Sequence, residues 1–186
     1  MRRTRYIAQA GVIAAVYASL TLMALQLPSQ LGWGLVQLRM SEAVTVVACL
    51  TPAAIPGLWL GAAAANAFMV SQVGPLALLD VVFGSLGSLL GAAWAWRFRT
   101  RPAVALAGPV VANALIVPVY LPILLKGLGL YRVPLVGIDL EGHWVMMYLF
   151  GVLAIGIGQA IVVYGLGWPL LKALRRMGID RLLGQG

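Results

Sequence analysis

The chain has 186 residues, of which 62% are apolar and only 10% charged, and its formal net charge is +8. Soluble domains run at roughly 45–50% apolar and about 25% charged, so a mean hydropathy of +0.96 excludes a soluble globular fold, and disorder with it. An all-α integral membrane protein remains, with room for about five to seven spans of roughly 20 residues and none for an extramembrane catalytic domain. No segment reads GxxxxGK[ST], so the loop that cradles nucleotide phosphates is missing and any ATP hydrolysis falls to another chain.

Arg2, Arg3 and Arg5 precede an apolar run from Tyr6 to Leu27. The run is long enough to span, and no small-x-small cleavage site follows it, so it reads as a first span rather than a signal peptide, with the N-terminus inside. The stretch Leu38–Val73 is broken by Pro52, Pro56 and Gly57. Pro75–Trp96 ends against Arg97, Arg99 and Arg101, Pro102–Leu125 ends at Lys126, and His143–Leu171 runs into Lys172, Arg175 and Arg176. Basic clusters mark the cytoplasmic side, so an even number of spans must separate each pair of them. The broken stretch therefore crosses twice, turning where Pro and Gly interrupt a helix. The expectation is one compact bundle of six transmembrane helices, residues 6–27, 38–51, 56–73, 75–96, 102–125 and 143–171, with both termini cytoplasmic. The second and third spans are short for a bilayer. Two long external segments, 28–37 and 126–142, lie on the face where binding loops are expected.

Ionisable groups inside a membrane are costly and mark function by default. Asp180 falls in the basic tail, whereas Glu42, Asp80, Asp139 and Glu141 all fall toward the external side, at one level on separate segments. Arg39 precedes Glu42 by one helical turn and can pair with it. Asp80, in the apolar context Leu78–Phe83, needs a partner such as Arg39 or Lys126, or a ligand. Asn66 and Asn113 lie mid-span, where an amide bonds either another helix or a solute. Gln159 reads as helix–helix contact and Cys49 as a small core residue. His143 is the only histidine, so no metal site is expected. Trp33, Tyr120, Tyr131 and Trp144 fit an aromatic belt or the stacking faces of a planar ligand. Ala10, Ala14 and Ala18, with Gly11 and Ala15 alongside, form a small-residue stripe that packs closely within the bundle or against a partner helix. Gly84, Gly87 and Gly91 predict a close-packed fourth span.

Several segments resemble the QueT family of substrate-binding (S) components of energy-coupling factor (ECF) transporters. They are Val36-Gln-Leu-Arg-Met-Ser-Glu-Ala43, Leu50-Thr-Pro-Ala-Ala-Ile-Pro-Gly57, Leu79-Asp-Val-Val-Phe-Gly-Ser-Leu86, Ala112-Asn-Ala-Leu-Ile-Val-Pro118, and Gly156-Ile-Gly-Gln-Ala160 with Gly165–Leu170. The chain departs from the family in carrying Gln159 where an acid is expected. The resemblance implies six helices, a vitamin-like solute bound near the external face, and docking on the membrane scaffold EcfT, driven by two ATPase subunits. It also implies a multi-pass protein of the bacterial plasma membrane. Docking through the first helix maps onto Ala10, Ala14 and Ala18. The implied solute is a queuosine precursor, a 7-deazaguanine such as preQ1 or queuine.

That solute suits the polar residues. A carboxylate accepts the ring N1–H and amine as a fork, and Arg39, Asn66 or Asn113 can donate to the carbonyl. The preQ1 aminomethyl cation takes a second carboxylate. Glu42 and Asp80 fill these two roles, in an order the sequence leaves open, with Trp144 or Tyr120 stacking and Glu141 and His143 at the rim. No cofactor and no nucleic acid are expected. The alternatives are an S component for another vitamin-like solute, a secondary transporter acting alone, a membrane enzyme using paired acids, and an assembly protein. The enzyme reading lacks any Ser/His/Asp set, HExxH or histidine cluster.

Overall fold

The computed structural model describes residues 2–24, 39–128 and 143–184. Among them the secondary structure is helical, with short turns and no strand. In chain order the elements are α1 (Arg2–Ala24), a 3-10 helix (Met40–Cys49), α2 (Ala54–Val73), α3 (Pro75–Arg97), α4 (Pro102–Leu128), α5 (Trp144–Arg176) and a short α6 (Ile179–Gly184). The five helices α1 to α5 are long and apolar enough to cross a membrane, whereas Met40–Cys49 is a shorter apolar helix. Helix bonding continues past several expected boundaries, from Arg2 and through Arg176. Long basic side chains can lie along a helix that stays regular while their charged heads reach water.

The 3-10 helix is the axis of the bundle. Ser41 to Cys49 are all buried apart from half-buried Val47, as a helix surrounded on every side must be. Three valines and Thr45 crowd this segment, and β-branched residues disfavour the α-helix. The tighter winding also lengthens it: ten residues rise about 20 Å at roughly 2.0 Å each, against about 15 Å in an α-helix. Thr45 Oγ1 donates to the Glu42 carbonyl at 2.6 Å, a bond across the three-residue repeat.

Close contacts fix the direction of each helix. Gly57 of α2 lies against the Ala10 carbonyl and Gly61 against Ala14, so α1 and α2 run parallel. Parallel neighbours need a return path between them. The axial helix supplies the described part of it, with Glu42 beside Tyr17 and Thr51 Oγ1 donating to Gln9 Oε1 at 3.0 Å. Gly91 against Pro109 and Gly151 against Pro118 make α3, α4 and α5 successively antiparallel. At the arginine-rich end, Arg5 donates to the Leu182 carbonyl and Arg175 Nη2 to the Arg99 carbonyl at 3.3 Å. Both described ends of the chain therefore lie at that end. On the outer face of α5, Leu149, Leu153, Ile157 and Ile161 are each more than half exposed, a stripe that only lipid can cover.

The small-residue stripe of α1 packs against α2 within the bundle. Ala10 is buried and Ala14 half-buried because Gly57 and Gly61 occupy that side of α1, and Ala18 is half-buried on the same side. The small residues left exposed on α1 include Ala8, Gly11, Ala15 and Ser19. A Cβ added at Gly61 would stand 2.7 Å from the Ala14 carbonyl oxygen, whereas one at Gly11 meets nothing within 4 Å. Gly61→Ala is expected to destabilise the fold by about 1–3 kcal/mol, and Gly11→Ala to leave it unchanged or slightly firmer. Thermal melting of both variants in detergent checks this pair.

Candidate functional site

Each of the six longer helices sends one polar side chain to a buried cluster away from the arginine-rich end. They are Tyr17 from α1, Glu42 from the axial helix, Asn66 from α2, Asp80 from α3, Tyr120 from α4 and Gln159 from α5, all buried. Arg39, just before the axial helix, completes the group.

Asp80 opens a π-helical segment, Asp80–Gly84, the kind of local widening that recurs at functional sites. Arg39 Nη2 bonds Asp80 Oδ2 at 3.0 Å, the Tyr120 hydroxyl donates to Oδ1 at 2.5 Å, and Asn66 Nδ2 donates to the Asp80 main-chain carbonyl at 2.8 Å. Gly84 leaves the room this requires, since a Cβ there would come 2.5 Å from Asp80 Oδ1 and 3.1 Å from both Asn66 Nδ2 and the Tyr120 hydroxyl. Phe83 stacks against the Tyr120 ring, with centroids 5.8 Å apart.

Glu42 stands apart from the ion pair. Its Oε1 accepts from the Tyr17 hydroxyl, and Gln159 lies beside its carboxylate. Arg39 does not turn to it. Arg39 has extended φ and ψ of −81° and 96°, so it lies outside the helix, and the one-turn spacing that suggested an Arg39–Glu42 pair has no helix to act through.

Five buried polar atoms of this cluster have no partner among the described residues: Arg39 Nε, Ser41 Oγ, Glu42 Oε2, Asn66 Oδ1 and Gln159 Oε1. Folded proteins leave few such atoms unpaired, and each costs about 1–3 kcal/mol. Their concentration here marks the candidate site. Among the described residues no group of three or more His, Cys, Asp or Glu side chains is placed to hold a metal ion.

Of the residues singled out from the sequence, Glu42, Asp80, Arg39, Asn66 and Tyr120 come together. Asn113 is buried on α4 against Gly87, in the α3–α4 contact. His143 and Trp144 are exposed at the start of α5, where Trp144 stacks on Tyr148 with centroids 6.0 Å apart, so the aromatic faces beside the cluster are those of Tyr120 and Phe83. Glu141, with Trp33, Tyr131 and Asp139, lies outside the described residues. Sequence reasoning missed Tyr17 and Ser41, and favoured helix contact over solute contact for Gln159. The signal for Tyr17 was the apolar face Ile13–Tyr17–Thr21–Ala24, whose i, i+4, i+8, i+11 spacing points one phenol inward.

An all-helical membrane protein that keeps unsatisfied polar groups in its interior, fed by every long helix, belongs to the class of solute transporters rather than structural membrane proteins. A family model described as QueT transporter matches residues 7–176, and the chain belongs to that family. No curated protein and no solved structure matches it.

Removing one partner of a buried ion pair strands the other charge. Asp80→Ala is expected to lower stability by about 3–5 kcal/mol, and the double variant Arg39→Met/Asp80→Ala to recover much of that loss. Chemical denaturation of the two variants in detergent measures the coupling.

Proposed function

We propose that this chain is the substrate-binding component of an ECF importer, capturing a queuosine precursor at the external face of a bacterial plasma membrane for uptake driven by separate ATPase subunits. The observation that carries this reading is the set of five unpaired polar atoms around Glu42 and Asp80. A 7-deazaguanine offers complementary chemistry: ring N–H and amine donors for the free acceptors, and a carbonyl for Arg39 Nε.

In this reading the axial helix is a sixth crossing. The return path between the parallel helices α1 and α2 supports that, and the cluster of arginines at one end supports a cytoplasmic assignment for both termini. The solute site then opens outward. The EcfT scaffold docks on the exposed small residues Gly11, Ala15 and Ser19 rather than on Ala10, Ala14 and Ala18, because close helix approach needs a face that is free.

The test is calorimetry on the folded chain in detergent, titrating preQ1, queuine and guanine, with thiamine as control. One-to-one binding of a deazaguanine with Kd below about 1 μM, roughly −8 kcal/mol, is expected. Free solute at 100 times Kd should add about 2.7 kcal/mol to stability, read as a rise in Tm. Absence of binding by folded protein overturns the solute assignment. In proteoliposomes, solute accumulation that requires added ATPase subunits supports the ECF assignment, whereas accumulation by the chain alone on an ion gradient overturns it.

A further inference from the structure

The two carboxylates of the cluster are not equivalent. Asp80 is saturated: Arg39 holds one oxygen at 3.0 Å and Tyr120 the other at 2.5 Å. Glu42 is not, for Tyr17 donates to one oxygen while the second, 1% exposed as a residue, has no partner. Two residues next to Glu42 also keep an unpaired atom that can accept: Gln159, whose side chain lies beside the Glu42 carboxylate, keeps Oε1, and Ser41 on the adjoining residue keeps Oγ. Among the described residues the cluster holds one guanidinium, Arg39, and its ion pair is with Asp80. With both acids ionised, Glu42, Asp80 and Arg39 sum to one negative charge, in a place where an uncompensated charge is expensive.

We infer that Glu42, with Gln159 and Ser41, forms a subsite for a primary ammonium group of the solute, and that Asp80 is a positioning residue that aims Arg39. The inference rests on the deazaguanine reading above and deepens it: the site selects a 7-deazaguanine carrying a cationic aminomethyl arm over neutral rings of the same size. An ammonium brings three N–H donors and the missing positive charge, and the resulting charge-assisted bonds are the strong kind. Arg39 Nε remains free to donate to the ring carbonyl.

The experiment is equilibrium binding to the full chain in detergent, with 7-aminomethyl-7-deazaguanine and its neutral counterparts bearing hydroxymethyl and cyano groups. Losing one partner of a buried hydrogen-bonded charge pair typically costs 2–5 kcal/mol, so the wild-type chain should prefer the aminomethyl compound by about 100-fold or more. Glu42→Gln should erase that preference, weakening the aminomethyl compound by the largest factor of the three. Asp80→Asn should weaken all three compounds alike and keep their ratio.

Wild-type protein that binds the hydroxymethyl compound as tightly as the aminomethyl compound overturns the inference without any variant, which covers the case of a Glu42→Gln chain that does not fold. A folded Glu42→Gln chain that still discriminates about 100-fold overturns it too. Wild-type protein that binds no deazaguanine overturns the functional reading itself, an outcome distinct from binding without discrimination.

Discussion

Two carboxylates share the interior of this bundle with a single guanidinium, and the arrangement of the helices answers to that imbalance. A buried charge must be paired, hydrogen-bonded or neutral. Arg39 settles on Asp80, and the Tyr120 hydroxyl and Asn66 amide complete that residue's shell. Satisfying Asp80 in this way fixes α2, α3 and α4 relative to the start of the axial helix, since each contributes one of the groups. Glu42 is then left with a phenol from α1 and an amide from α5. One acid serves the architecture and the other keeps an open valence.

Bringing six side chains to one point demands that backbones approach closely, and glycines supply the clearance. Gly57 and Gly61 let α2 reach α1, Gly91 lets α3 reach Pro109, Gly151 lets α5 reach Pro118, and Gly167 lets α5 reach Val46 and Ala43 of the axial helix. In a membrane, lipid is as apolar as the helix faces, so packing of this kind and interhelical hydrogen bonds hold the bundle where burial from water would hold a soluble one. The exposed leucine and isoleucine stripe of α5 fits that account, since it would be a liability in water.

The helical class, a helix break at Pro52 and the five long apolar helices were legible because hydropathy and proline placement act locally, whereas Pro56 and Gly57 sit in the first turn of α2 rather than in the break. Asp80 and Glu42 were legible as exceptions, lone acids in apolar runs. Their partners were less so. Arg39 pairs with Asp80 and not Glu42 because the helix starts after Arg39, a boundary no spacing rule reveals. Tyr17 looks like any interfacial aromatic until α2 covers the alanine side of α1 and turns the phenol toward Glu42. Which small residues of α1 are covered was hidden for the same reason: Ala10 and Gly11 are both small, and only the position of Gly57 decides which one α2 covers. Gln159 stood out as polar, but its depth relative to Glu42 depends on the parallel path of α5 along the axial helix.

The axial helix has a consequence for how the protein is made. Ten residues wound as a 3-10 helix fall well short of the roughly 20 that a nascent chain needs to be recognised as a membrane segment by itself. On the proposed reading of it as a sixth crossing, it needs α2 as a partner through the tight turn at Thr51–Ala53, entering the bilayer as a helical hairpin. Its polar end carries Glu42 and Ser41 into place before α4 and α5 have left the ribosome, so Tyr17, already synthesised, is the first group available to meet the Glu42 carboxylate. On that reading the contact between α1 and Glu42 serves assembly as well as the finished site, holding a short, polar-tipped segment in place until the remaining helices close around it.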